Sequence, residues 1–127
     1  MSSKPRHWRS VAAYLGDRKL SVPCRIFTAH DGEELASITA ASSAWGWSSR
    51  TTARRLREGV IDAVRRSDGV AVGISVPEVA RVLVKTLRRW TGEPWSATPP
   101  AKAPARFKEL SLLSLAEVVE KGGVIDE

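Results

Sequence analysis

Apolar residues recur along this chain in two rhythms, one that suits a helix and one that suits a strand. Trp8, Val11, Ala12 and Leu15 follow the i, i+3, i+4, i+7 spacing of a helical face. They predict a short first helix, anchored in the core by Trp8 and stopping near Gly16-Asp17. From Leu20 to Thr28 the rhythm changes to alternation, with Val22, Cys24 and Ile26 on one side. This predicts a strand that Pro23 confines to a sheet edge or an extended connector. Asp31 followed by Glu34 forms a capping-box pattern, and Leu35, Ile38, Ala41 and Ser42 beyond it give the small-residue face of a second helix.

The stretch Trp45-Gly46-Trp47-Ser48-Ser49 reads as a glycine turn that gives way to serines able to cap a third helix. At about 100° per residue, Arg50, Arg54 and Arg57 gather on one side of that helix, with Thr51 and Arg55 at its shoulder. Thr52, Leu56 and Val60 fall opposite, so one face packs and the other is left to solvent or to a polyanion. An N-cap at Ser48 or Ser49 leaves backbone N–H groups where the helix dipole favours an anion. Next, Ala63 to Arg66, Ser67-Asp68-Gly69 and Val70 to Val76 read as a β-hairpin, with Val70, Val72, Ile74 and Val76 on one side. Ser75 to Glu78 is a capping box with proline in the first turn, and it launches a helix through Trp90. The apolar stripe of that helix, Val79, Val82, Leu83, Leu87 and Trp90 with Ala80 and Val84, is wide enough for more than one partner surface.

In this order, a small-residue helix, a glycine turn at Gly46, the Ser48-Ser49 cap, arginines and a following hairpin, the chain resembles the winged helix-turn-helix DNA-binding domains of bacterial and archaeal transcriptional regulators. The resemblance covers residues 7–90. It implies a fold that is mainly α with a small β-hairpin wing (α+β), in the order helix, strand, helix, helix, strand, strand, helix, plus a C-terminal tail. It also implies a recognition helix over about 49–62, running through Gly59 although an interior glycine costs about 1 kcal/mol, and a wing over 63–76. The second helix departs from the family pattern: Leu35-Ala36 lies ten positions before Gly46, so that helix is longer or Ser42-Ser43 opens a broadened turn. Around this domain the sequence predicts a flexible basic arm at 1–6, a Pro/Ala-rich linker at 91–105 holding Trp95, and a docking segment at 106–127 with Phe107, Leu110, Leu112, Leu113 and Leu115.

Composition narrows the chemistry. The chain has 127 residues, enough for one core, and 20 Lys+Arg against 14 Asp+Glu, a net charge of +6. Sixteen basic and eight acidic side chains fall within residues 1–90, so the positive field belongs to the expected domain and points to an acidic partner. One cysteine, Cys24, with His7 and His30 at no recognised spacing, offers no metal site and reads as a buried structural thiol. No apolar run approaches a membrane span, no secretory signal leads the chain, and no cofactor motif occurs. The expected location is the cytoplasm, in association with the nucleoid.

Three classes of function compete. The first is sequence-selective double-stranded DNA binding by a repressor-like regulator. Arg50, Thr51 and Arg54 then lie in the major groove, with Ser48, Ser49, Arg55 and Arg57 on flanking phosphates and Arg65 and Arg66 in the wing. A homodimer through helix 77–90, with the tail as a second contact, would present two such helices to half-sites one DNA turn apart. The second class is a protein–protein adaptor or RNA-binding module on the same fold. The third is an enzyme, for which no phosphate loop, metal cluster or nucleophile–histidine pair speaks, and none is expected.

Overall fold

A computed structural model describes residues 6–29 and 31–110. The first feature overturns the expected first helix. Residues from Arg6 to Leu15 form strand β1, which pairs antiparallel with β2 (Arg18–Thr28) along its whole length, from Arg6 opposite Phe27 to Leu15 opposite Arg18. Gly16-Asp17 is the two-residue turn of a hairpin, with Gly16 at φ 59°, and not a helix stop. Val11 faces Val22 and Ala13 faces Leu20 on the buried side, whereas Trp8, the expected core anchor, is 63% exposed beside Arg25. Pro23 does not confine β2 to an edge. It lies in the span between the partners of β2's second side, β6 at residues 18–20 and β3 at residues 26–28.

Strand β3 (Glu34–Ala36) occupies the expected start of the second helix, and that helix, α1, runs only over Ile38–Trp45. Its cap is Ser37, whose hydroxyl accepts from the Ala40 amide at 3.0 Å. Asp31 instead accepts from the Glu33 amide in the β2–β3 turn, and Glu34 binds Arg9 and His7 across the sheet. The third helix, α2 (Ser49–Arg57), is shorter than the expected 49–62. Gly59 sits at φ 78°, and the Val60 amide closes back onto the Arg55 carbonyl at 3.0 Å. A left-handed glycine with that 6→1 bond is a helix terminus, so the interior-glycine cost never arises.

Strands β4 (Val64–Arg65) and β5 (Ala71–Ser75) make the hairpin, and α3 (Val76–Thr91) follows directly under a Ser75 cap. Val64 faces Gly73 and Arg65 faces Ala71, so Val72 is an extra residue on β5 and the expected alternation breaks there. Val70 consequently ends up 50% exposed, while Gly73 and Ile74 are both buried. A Cβ at Gly73 would lie 2.9 Å from the Ala36 carbonyl oxygen, which is why this strand carries no side chain where it crosses β3.

The sheet order is β1-β2-β3-β5-β4, antiparallel throughout this path, with β6 (Lys108–Leu110) parallel beside β2. Among the described residues, three helices and six strands replace the helix-dominated, four-helix winged helix-turn-helix domain expected from the sequence. One buried cluster joins Val11, Leu20, Val22 and Ile26 of the long hairpin to Ala41, Ala44 and Trp45 of α1 and Val79, Leu83 and Leu87 of α3. The expected linker belongs to the same body. Trp95 is 2% exposed, Ser96 exchanges backbone bonds of 2.8 and 2.9 Å with Tyr14, and the Lys108 amide donates to the Asp17 carbonyl. Of the expected arm at 1–6, Arg6 belongs to β1, and of the expected docking segment at 106–127, Lys108–Leu110 form β6; residues 1–5, His30 and residues 111–127 lie outside the described residues.

A candidate nucleic-acid interface on the second helix

The path to α2 begins at the end of α1. Gly46 takes φ 78°, ψ 24°, its amide reaches the Ser43 carbonyl, and the Trp47 amide reaches that of Ser42 at 2.9 Å. This paired closure turns the chain sharply and sets the start of the next helix. Ser48 then caps α2, accepting from the Thr51 amide at 3.1 Å.

Contact between the two helices is made by small side chains. Thr52, wholly buried, donates to the Ser48 carbonyl, and its hydroxyl oxygen lies 2.6 Å from that of Ser42 on α1. Ser42 is itself within 2.7 Å of the Ile38 carbonyl, so both hydroxyls are satisfied inside the protein. Ser42 is thus buried at the seam with α2, while Ala41, Ala44 and Trp45 of α1 join the common core. Trp45 anchors the pair from below, fully buried, its indole N–H donating to the Val79 carbonyl at 2.9 Å.

With Thr52 turned inward, the opposite side of α2 faces solvent. Ser49, Arg50, Ala53 and Arg57 are exposed, and Arg54 on the same side is half-buried. The expected cluster of Arg50, Arg54 and Arg57 therefore lies on one outward face. Arg55 departs from it: its guanidinium lies over the Trp47 ring at 5.2 Å, on the flank nearer α3. Thr51 is half-buried, 3.0 Å from the Ser48 hydroxyl. Ser48 is committed to the cap although it is exposed, and α2 leans mainly on α1.

The hairpin holds its own arginines. Arg65 donates to the Gly69 carbonyl at 2.9 Å, and Arg66 makes a two-pronged pair with Asp68 at 2.8 and 3.3 Å. That pair, with the Val70 amide, draws the Asp68 carboxyl below its usual range. Both arginines are exposed, but one of the two charges is neutralised within the turn. Behind α2, the loop to the hairpin is fixed to α3. Glu78 accepts from the Asp62 amide at 2.9 Å and pairs with Arg81, which also reaches the Val60 carbonyl. Burial pushes the Glu78 carboxyl up, but the Arg81 and Asp62 bonds outweigh it and hold it below the ordinary carboxylate range.

Comparison with protein-family models, with curated proteins and with solved structures finds no match in any of the three. What the site can do thus rests on its own chemistry. Among the described residues no group of three or more His, Cys, Asp or Glu could hold a metal ion, and no helix is long and apolar enough to cross a membrane. Cys24 is 1% exposed, and burial raises its thiol pKa, which suits a core position and not a nucleophile. Three cations that the sequence reading passed over, Lys85, Arg88 and Arg89, flank α2 from α3. Their signal was available in the spacing i, i+3, i+4 on the polar side of that helix.

Proposed function

We propose that this chain binds double-stranded DNA, with α2 entering the major groove and its outward arginines reading base edges. The observation that carries this reading is the outward face of Arg50, Arg54 and Arg57, held away from the core by the inward Thr52. B-form DNA admits an α-helix in its major groove, and arginine paired with guanine is the commonest specific contact there. Exposed Ser49 and the basic hairpin arginines Arg65 and Arg66 then meet flanking phosphates. The activity is binding without turnover, and a regulatory role at the nucleoid in the cytoplasm follows from it.

The stripe expected to pair two copies through residues 77–90 turns inward. Val79, Val82, Leu83, Val84 and Leu87 are all buried within the same chain, so the wide stripe serves one core against several neighbours. Binding of one site per chain is the expected stoichiometry.

Fluorescence anisotropy with labelled duplexes tests the proposal. Affinity should fall steeply between about 50 and 200 mM salt, as counterion release requires. Arg50→Ala and Arg57→Ala should both weaken it. Duplex RNA should compete poorly, because its deep, narrow major groove excludes a helix. Binding that ignores both salt and these two substitutions would refute the reading.

A further inference from the structure

Beside α2, a cleft of about 520 Å³ opens between that helix and α3. Its size falls within the range of small-molecule sites, roughly 300 to 1,000 Å³. Its apolar walls are Trp47, Val60 and Val82, and Val60 is 39% exposed at the surface. Four cationic side chains, Arg55, Lys85, Arg88 and Arg89, surround them, and among the described residues no carboxylate lines the cleft.

The three charges on α3, Lys85, Arg88 and Arg89, are not there to balance acidic neighbours among the described residues. Lys85 and Arg89 form no ion pair among the described residues, although Lys85 lies within electrostatic reach of the Glu78 carboxylate. Arg88 spends one donor on the Trp95 carbonyl at 2.7 Å, which orients its guanidinium without neutralising it. Trp47 has its indole N–H buried with no acceptor among the described residues, beneath the guanidinium of Arg55. Gathering Lys85, Arg88 and Arg89 around a partly apolar hollow is unfavourable for the empty protein, and an anion relieves it.

We infer that this cleft binds a small organic anion with a flat apolar body, the body against Trp47, Val60 and Val82 and the anionic group among Lys85, Arg88 and Arg89. Bare phosphate fits poorly, since it leaves the apolar walls wet. A neutral aromatic compound fits poorly too, since it leaves the cations uncompensated. The inference is independent of the DNA reading, and its readout involves no protein–DNA affinity.

The test uses the full chain and 2-naphthoate as probe, followed by NMR of the indole N–H resonances of the five tryptophans. Trp47 is assigned by its disappearance in Trp47→Phe. Naphthoate should shift the Trp47 resonance saturably and leave those of Trp8 and Trp45 unmoved. Lys85→Gln with Arg89→Gln, both at exposed positions, should weaken binding at least fivefold without changing the melting temperature. Inorganic phosphate and uncharged 2-naphthamide should each bind at least tenfold more weakly. The inference is overturned by no saturable shift, by equal shifts at every indole, by phosphate or naphthamide matching naphthoate, or by undiminished binding to the double variant. A short DNA duplex that perturbs Trp47 where naphthoate does not would assign the cleft to phosphate backbone and overturn it as well.

Discussion

Helices α1 and α2 are neighbours of nearly equal length, eight and nine residues, joined by one turn, and they are built oppositely. Ala41, Ser42, Ala44 and Trp45 of α1 are buried and the helix carries no charge. In α2 only Thr52 is buried, and four of the nine residues are arginines. A helix with a single buried residue contributes little to the core, so its composition is not explained by stability. The difference teaches that α1 is the mount and α2 the mounted part. The Ser42–Thr52 hydroxyl contact joins them, and it holds α2 to the body with its cationic side outward.

Substitutions should separate the two roles. The largest effect is expected at the mount. Trp45→Ala removes a fully buried indole and its bond to Val79, and should cost about 3–5 kcal/mol in urea unfolding. On α2 the effect should move from stability to binding. Arg50→Ala should leave unfolding within about 0.5 kcal/mol of wild type, yet lower duplex affinity by about 1–3 kcal/mol and flatten base preference at one position. Equal losses on specific and random duplexes would break the assignment of base reading to this face.

Smaller effects sharpen the boundary between the parts. Glu78→Gln weakens charged bonds to Arg81 and the Asp62 amide and should cost about 1–2 kcal/mol at neutral pH. Because the Glu78 carboxyl is depressed in the folded state, its contribution is complete above the unfolded carboxylate range and is lost as pH falls through the folded value. Wild type and Glu78→Gln should therefore converge in melting temperature on acidification. Thr52→Val keeps the shape but removes the hydroxyl that meets Ser42 and Ser48, and should cost about 1 kcal/mol by the same unfolding assay. Least of all, Arg65→Ala should weaken every duplex alike and reduce the salt slope by about one.

How much of this was legible from residues alone varied along the chain for definable reasons. The alternation of Val22, Cys24 and Ile26 declared β2, since a polar or exposed residue separates each pair. β1 did not declare itself, because Ala12 and Ala13 place apolar atoms on both faces and Trp8 to Leu15 then satisfies the helical period as well. Pairing with β2 across Gly16-Asp17 decided it, and that is a tertiary effect. The cap of α1 was misplaced at Asp31 for a similar reason: Glu34 is claimed by Arg9 and His7, which lie 25 and 27 residues away. The end of α2 is marked by Gly59, but Leu56, Val60 and Val64 continue the helical period past it, so only the left-handed backbone at Gly59 decides the terminus.

The outward arginines of α2 were readable, because Thr52 and Leu56 mark the packed side of so short a helix. Arg55 was not, since nothing local says that its partner is the ring of Trp47. The breadth of the apolar stripe on α3 is legible in the residues, but what it packs against is not. It meets β1, β3, β5 and α1 at once, which a sequence cannot distinguish from a surface kept for a second copy.

The most direct trial of the central claim, that α2 presents its arginines to bases in a groove, is selection of duplexes from a random pool by the full chain, repeated with Arg50→Ala. Enrichment of a guanine-containing motif by the wild type, with one position relaxed in the variant, is the expected result. A selected pool as random as the one supplied would contradict it.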